Sequence, residues 1–501
     1  MEFSWRTIFP GSLEFRDNSW PSQVLRISFE IRIFACLKGR LEMGWMDSME
    51  GKGLSGKSEQ TLKELLRESK TLVLSSGAGR ESWSARVYFA GDDEALWIAL
   101  KPDARTLENV RKHPERVTFT VDRDTPDVFA QGEGRAIVWG TVDEYPDIKA
   151  RLLAKNPEMK PFLEAIPDVA LVKIVPEKFY LTDHREGISP RQEVVTEAGA
   201  RRLPQSKYWV QVMRFFSLSF TTLAGLIGAG FALAYPGHVN WELLPLVLLG
   251  AFLLHVGTNL TSEYFDFAHG VDRHDTFGGT KLLVEGYLSP RKVLWAGVAA
   301  FAVGSLIGFY LVARIDWVIL LLGGIGVVAG YFYGGRPLGF KYRGLGEFMV
   351  FLTFGPLMVL GSYYVLTQNF NWVVLLASVP IGLLITAVLY ANNTRDILND
   401  SKAAVTTVPM NLGLEKAKVP YLIMVLGAYV VTVLAVIFGL FPPVTLAVLV
   451  TLPTALKNVR VFRKIHAFNS PELLTMDLRT AQLVTQFGVV FALALFVEKL
   501  L

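Results

Sequence analysis

Two stretches of the chain carry acidic and amide side chains at helical spacing. In the first, Asn259, Glu263 and Asp266 fall at i, i+4 and i+7, and Asp272 follows. In the second, Asn392, Asp396 and Asp400 fall at i, i+4 and i+8. On a helix each set shares one face. Carboxylates packed this closely repel one another unless a cation lies between them, and at membrane depth they are costly unless they serve a site or pathway. A hard divalent ion answers both problems, since Mg²⁺ takes a few carboxylates and completes its octahedron with water and phosphate oxygens. Two sparse clusters facing each other therefore suit a bridged diphosphate. One such cluster alone is more simply a hydrated helix end; two matched copies, each with an Asn one turn earlier, favour a site.

Both clusters need membrane helices to hold them. Apolar residues make up 51% of the chain and charged ones 19%, with a mean hydropathy of +0.34. They are unevenly spread: up to about residue 205 the sequence is mixed, and beyond it long apolar runs recur almost without charge. Spans are expected near 212–235, 242–262, 293–313, 317–335, 346–367, 372–391, 420–440, 442–456 and 481–498, the eighth short and tilted or broken by proline. The clusters end the second and sixth. Cations such as Arg273, Lys281, Arg336, Lys341, Arg395 and Lys402 crowd the loops on one side, against Arg314 and Lys499 on the other. The positive-inside rule then puts the N-terminal domain and both clusters in the cytoplasm of a multi-pass membrane protein. A net charge of +4 gives no ground for nucleic-acid binding, and a single cysteine, Cys36, excludes a disulfide framework.

Before the spans, short strand-like runs at Thr71–Ser75, Ser84–Phe89, Leu96–Leu100, Val117–Val121, Gly132–Val138 and Ala170–Ile174 alternate with helical pattern at 60–69, 104–113 and 144–155. Many short strands with few helices predict a small closed or split β-barrel. The domain is expected over 46–190, followed by an exposed linker over 191–207 leading to the membrane domain at 208–501. Residues 1–45 match neither half, and translation is expected to begin at Met43, Met46 or Met49. Ser84-Ala85-Arg86-Val87-Tyr88-Phe89, Lys101 with Arg105 and Asn109, and Gln131 to Ala136 resemble the pyridoxamine-phosphate-oxidase-like, flavin-reductase-type split barrels. That resemblance implies Arg86, Lys101 and Arg105 as holders of the phosphate of FMN or another flavin-like cofactor. A flavin bound there would reduce the aromatic acceptor or the quinone product of the neighbouring domain.

The membrane half resembles the UbiA superfamily of intramembrane prenyltransferases. The likeness rests on Asn259 to Asp272, Gly279 to Gly286, Tyr333 to Gly339, Gly344 to Glu347, Gly361 to Tyr364, and Asn392 to Asp400 with Asn411-Leu-Gly413. Within the superfamily the nearest branch prenylates 1,4-dihydroxy-2-naphthoate in menaquinone biosynthesis. The resemblance implies Mg²⁺ on Glu263, Asp266, Asp272, Asp396 and Asp400, bridging to a polyprenyl diphosphate. Asp266, Asp272, Asp396 and Asp400 are then catalytic, while Asn259, Asn392, Arg336, Lys341, Arg395 and Lys281 bind substrate. An aromatic carbon captures the allylic cation. This chain departs from the family pattern at Ser262-Glu263, where Asn-Asp is usual, and at Ala404 to Thr407, where a lysine is expected. Another acceptor is the alternative within the superfamily: a glycerol ether, chlorin, heme precursor or 4-hydroxybenzoate. An ion-coupled transporter is the alternative outside it.

Overall fold

The computed structural model describes residues 56–77, 82–91, 95–123, 127–274, 276, 279–403, 405–467 and 470–499. The expected start sites therefore lie outside the described residues, as does the Lys402 side chain.

Alternating apolar residues make the N-terminal half a barrel. Strands β1 (Thr71–Ser76), β2 (Trp83–Gly91), β3 (Leu96–Leu100), β4 (Val117–Asp122), β5 (Val128–Thr141), β6 (Ala170–Asp183) and β7 (Ile188–Val195) run antiparallel in the order β3-β2-β1-β4-β5-β6-β7. Pairing of β3 with the first half of β6 closes the first six strands into a barrel, and the second half of β6 carries β7. Leu72, Leu74, Phe89, Phe119, Val172 and Phe179 fill it, capped by Leu62, Leu65 and Leu66 of helix Gly56–Glu68. Each such side chain contributes roughly 1.5–3 kcal/mol when taken out of water. The long strands β5 and β6 stay paired past a bulge at Glu133/Gly134. A Cβ at Gly134 would come within 2.2 Å of the Val175 carbonyl oxygen, so only glycine fits.

The stretch expected as a linker is largely structured. Strand β7 pairs with β6, Val194 is buried, and the Thr196 hydroxyl donates to the Pro176 carbonyl at 2.7 Å. A polar edge strand containing Pro190 lacks the continuous apolar run that identifies a buried one.

Among the described residues, eight helices beyond it are long and apolar enough to cross a membrane: Phe215–Leu233, Trp241–Ala268, Pro290–Arg314, Gly346–Thr367, Trp372–Arg395, Val408–Ile437, Pro443–Arg463 and Met476–Glu498. The shorter apolar helix Val318–Gly334 stands between the third and fourth of these and makes a nine-helix bundle. Counted in chain order as the first to ninth spans, they match the expected positions. The eighth begins as a 3-10 helix over Pro443–Thr451 before turning α-helical. The fifth widens to a π-turn at Thr353–Leu357, where Pro356 removes a donor and crowds the preceding turn.

Candidate active site

The second span ends in a turn that folds Asp272 back towards Asp266. Gly270 (φ +67°) takes the left-handed conformation, its N–H donates to the Phe267 carbonyl at 3.1 Å, and the Val271 N–H donates to Asp266 at 2.9 Å. This is a Schellman cap, which a residue with a Cβ enters only under strain. Asp272 is then packed so closely against Gly279 that a Cβ there would lie 2.6 Å from its carboxylate oxygens.

Lys341, on the loop after the fourth span, reaches Asp266 at 2.5 Å, and Tyr342 donates to the same carboxylate at 2.9 Å. The next residues of this loop join the other cluster, since the Thr406 N–H donates to the Tyr342 carbonyl at 3.0 Å and Arg343 bridges to Thr406. Burial opposes the charge on Lys341, but Asp266 beside it keeps its pKa above that of ordinary lysine. Burial, then Asp266 and Glu263, push Asp272 up to about 6. Burial and Asp396, with Asp266 and Asp272 adding to them, push Asp400 up to about 7. Asp400 feels Lys341 and the carboxylates of the other cluster, so the two sets are electrostatically coupled.

The remaining predicted residues have other neighbours. Glu263 is buried, ion-paired with Arg214 at 3.0 Å and accepting from Thr280. Asp396 is gripped twice at 2.8 Å by Arg395, which also reaches Asp477 at 2.6 Å and contacts Asn392. Glu263 and Asp396 were both expected on metal; Arg395 engages both oxygens of Asp396, while Arg214 and Thr280 each engage one oxygen of Glu263. Asn259 donates to the Met213 carbonyl at 2.8 Å and ties the second span to the entrance of the first. Lys281 lies 3.8 Å from Asp272, and Arg336 donates to His269 at 3.0 Å. Arg214, Thr280, Tyr342 and Asp477 were not anticipated. Arg214 is the last cation before the first span and Asp477 an acid in a cation-rich loop, which is the sequence signal each offered.

Behind this polar end lies a cavity of about 350 Å³. Arg214, Ser217, His255, Asn259, Tyr333 and Asn392 line its polar part, and Leu254, Ile307, Leu311, Ile319, Leu322 and Leu357 its apolar part. His255 is held by Thr221 at 2.7 Å and Ser217 at 3.3 Å.

The sequence profile of the UbiA prenyltransferase family matches residues 218–473, just over half of the chain. The chain belongs to the UbiA prenyltransferase family. It is 28% identical over 288 residues to the 1,4-dihydroxy-2-naphthoate octaprenyltransferase of Bacillus subtilis, covering 58% of this chain and 92% of that protein. To the protein of the same name from Mycobacterium tuberculosis it is 32% identical over 288 residues, covering 57% and 96%. Among solved structures, one from Listeria innocua of pyridoxamine 5′-phosphate oxidase type is 21% identical over 24% of this chain and 95% of its own, at a TM-score of 0.21. This UbiA-family chain is a multi-pass membrane prenyltransferase.

The donor set fits Mg²⁺. Asp266, Asp272 and Asp400 have two amines beside them, Lys341 at Asp266 and Lys281 at 3.8 Å from Asp272, leaving negative charge for a divalent ion to offset. Among the described residues no three acidic, histidine or cysteine side chains stand close enough together to hold a metal ion by themselves. The barrel cations do not fit a flavin phosphate. Arg86, Lys101 and Arg105 are all exposed; Arg86 turns to Thr71 (3.4 Å) and Asp122 (3.9 Å), and Arg105 lies 4.8 Å over the Trp83 ring. A carboxylate beside Arg86 opposes a phosphate there, and Arg86 and Arg105 turn to different neighbours.

Replacing Arg214 by Ala leaves Glu263 buried and unpaired. Thermal unfolding in detergent is expected to register a loss of about 2–3 kcal/mol, below the range for fully buried pairs because Arg214 is partly exposed. Adding Glu263→Gln should recover part of it. Unchanged stability in Arg214→Ala would show that the pair holds nothing.

Proposed function

We propose that this prenyltransferase moves a polyprenyl group from polyprenyl diphosphate to 1,4-dihydroxy-2-naphthoate, the prenylation step of menaquinone biosynthesis. The observation that carries the reading is the Lys341–Asp266 pair at 2.5 Å, with Asp272 and Asp400 within electrostatic reach of both, next to an apolar cavity whose lining includes Ser262, Tyr333 and Asn392. The names of the Bacillus and Mycobacterium relatives support the acceptor.

Asp266, Asp272 and Asp400 would hold Mg²⁺, which when bound offsets the diphosphate charge and eases its departure. Lys341 adds a fixed positive charge beside the leaving group, and Lys281 beside Asp272 and Arg336 beside His269 offer further cations to the diphosphate. Arg395 keeps Asp396 and Asp477 in place. The apolar wall takes the polyprenyl chain and excludes water, which would otherwise capture the allylic cation. As the C–O bond breaks and diphosphate leaves with its electron pair, the ring carbon of the acceptor forms the new C–C bond, and the group it carried departs as a proton or as CO₂ to restore the aromatic ring. Ser217, Thr221, His255 and Asn259 offer hydrogen bonds that orient the acceptor ring.

The cations flanking the spans support a cytoplasmic barrel and site. Alkaline phosphatase fused after Leu501 is then expected to be active and green fluorescent protein dark there, because nine spans carry the C-terminus across; the reverse pattern would invert the topology.

Membranes containing the chain, given geranylgeranyl diphosphate, Mg²⁺ and 1,4-dihydroxy-2-naphthoate, are expected to form a prenylated product. Asp266→Asn and Asp400→Asn should each lower the rate by roughly 10²-fold or more, the several kcal/mol that Lewis-acid assistance provides. Product from 4-hydroxybenzoate or a glycerol phosphate acceptor, and none from the naphthoate, would reassign the substrate.

Acidity should weaken the metal. Asp272 and Asp400, with pKa values raised to about 6 and about 7, carry protons at pH 5.5 and have shed them by pH 8, so the ion must displace protons only at the acid end. Half-saturating Mg²⁺ is expected to rise roughly tenfold or more from pH 8 to 5.5. A flat profile would remove these two carboxylates from the metal shell.

A further inference from the structure

The barrel lies outside the family match, yet one of its faces is fastened to the loop that runs from Val271 to Ser289 between the second and third spans. Among its described residues this loop has no helix or strand, and at its length an unsupported segment is either mobile or functional. Four contacts hold it, and a fifth holds the first turn of the helix that follows. The His274 ring stacks on Trp139 of β5, centroids 3.8 Å apart and planes at 20°. Arg135 of β5, buried and paired with Glu177 at 3.0 Å, donates to the Glu285 carbonyl and lies 3.8 Å over the Tyr287 ring. The Ser289 hydroxyl donates to the Lys112 carbonyl at 2.9 Å, and Lys292 pairs with Glu115 at 2.8 Å. Gly286 (φ +68°) lets the backbone pass Pro114, where a Cβ would come within 3.3 Å.

The other side of the same loop touches the candidate site. Thr280 donates to Glu263 through its hydroxyl and through its N–H at 3.3 Å, Lys281 stands 3.8 Å from Asp272, and Gly279 packs against that carboxylate. We propose that the barrel is a clamp on this loop: Trp139 and Arg135 hold His274 and Tyr287, and so keep Thr280 and Lys281 against Glu263 and Asp272, pre-forming the donor end of the site. Ordering a backbone costs conformational entropy. Contacts made before the substrate arrives remove that cost from donor binding and leave the chemical step alone. Trp139, Arg135 and His274 are positioning residues on this account.

The test uses the full chain with Trp139→Ala, Trp139→Phe and His274→Ala, the last leaving the barrel interior untouched. Amide hydrogen exchange and donor kinetics at saturating Mg²⁺ and naphthoate are both followed. Both alanine variants are expected to exchange about tenfold faster over 279–289, with barrel strands 171–181 still protected. They should also raise the donor KM about tenfold while kcat stays within about threefold, and Trp139→Phe, which keeps a stacking face, should stay near the parent on both. Unchanged exchange over 279–289 in His274→Ala would overturn the clamp, and faster exchange with an unchanged donor KM would overturn its role in donor binding. If Trp139→Ala loses protection in the barrel itself, His274→Ala decides. The kinetic arm rests on the proposed reaction; should the parent form no product, that reading fails separately and exchange alone decides the clamp.

Discussion

Negative charge gathered at the edge of a membrane is the constraint on which the rest depends. Asp266 pairs with Lys341, Lys281 lies 3.8 Å from Asp272, and Asp272 and Asp400 feel the charges of Asp266, Glu263 and Asp396. Such a cluster survives folding only where each charge is answered, because an unpaired buried ion costs several kcal/mol. The fold answers in tiers. Arg214 takes Glu263, Arg395 takes Asp396 and Asp477, and Lys341 with Tyr342 takes Asp266. Asp272 and Asp400 are left without a close basic partner of that strength, and their raised proton affinity measures the deficit.

The surrounding architecture follows from that deficit. The left-handed turn at Gly270 brings Asp272 back beside Asp266, and the 336–345 loop runs from one cluster to the other through Lys341, Tyr342 and Arg343. The apolar cavity behind keeps water away, so the field of the exposed charges is little screened. On the outer side the loop from Val271 to Ser289 is pinned by the barrel, linking a domain outside the family match to residues that touch the site.

Much of this was legible in the sequence. Long uncharged apolar runs mark membrane helices because lipid leaves no other way to satisfy a spanning backbone, and period-two alternation marks barrel strands whose one face is buried. The spacing of Asn259, Glu263 and Asp266, and of Asn392, Asp396 and Asp400, is a local property of a helix. Strand β7 escaped notice because it is polar, lies at an edge and contains Pro190, so its assignment depends on β6 lying alongside.

What the sequence determined by itself, then, is which helices exist and which carboxylates share a face, since both depend on neighbours within two turns. Only the tertiary structure decided how those carboxylates are used. Arg214 and Glu263 are 49 positions apart, Arg395 and Asp477 are 82, and Arg135 and Glu285 are 150. Pairings at such separations are set by how the helices and the barrel pack, and a charged side chain carries no local mark of the partner that packing will bring to it.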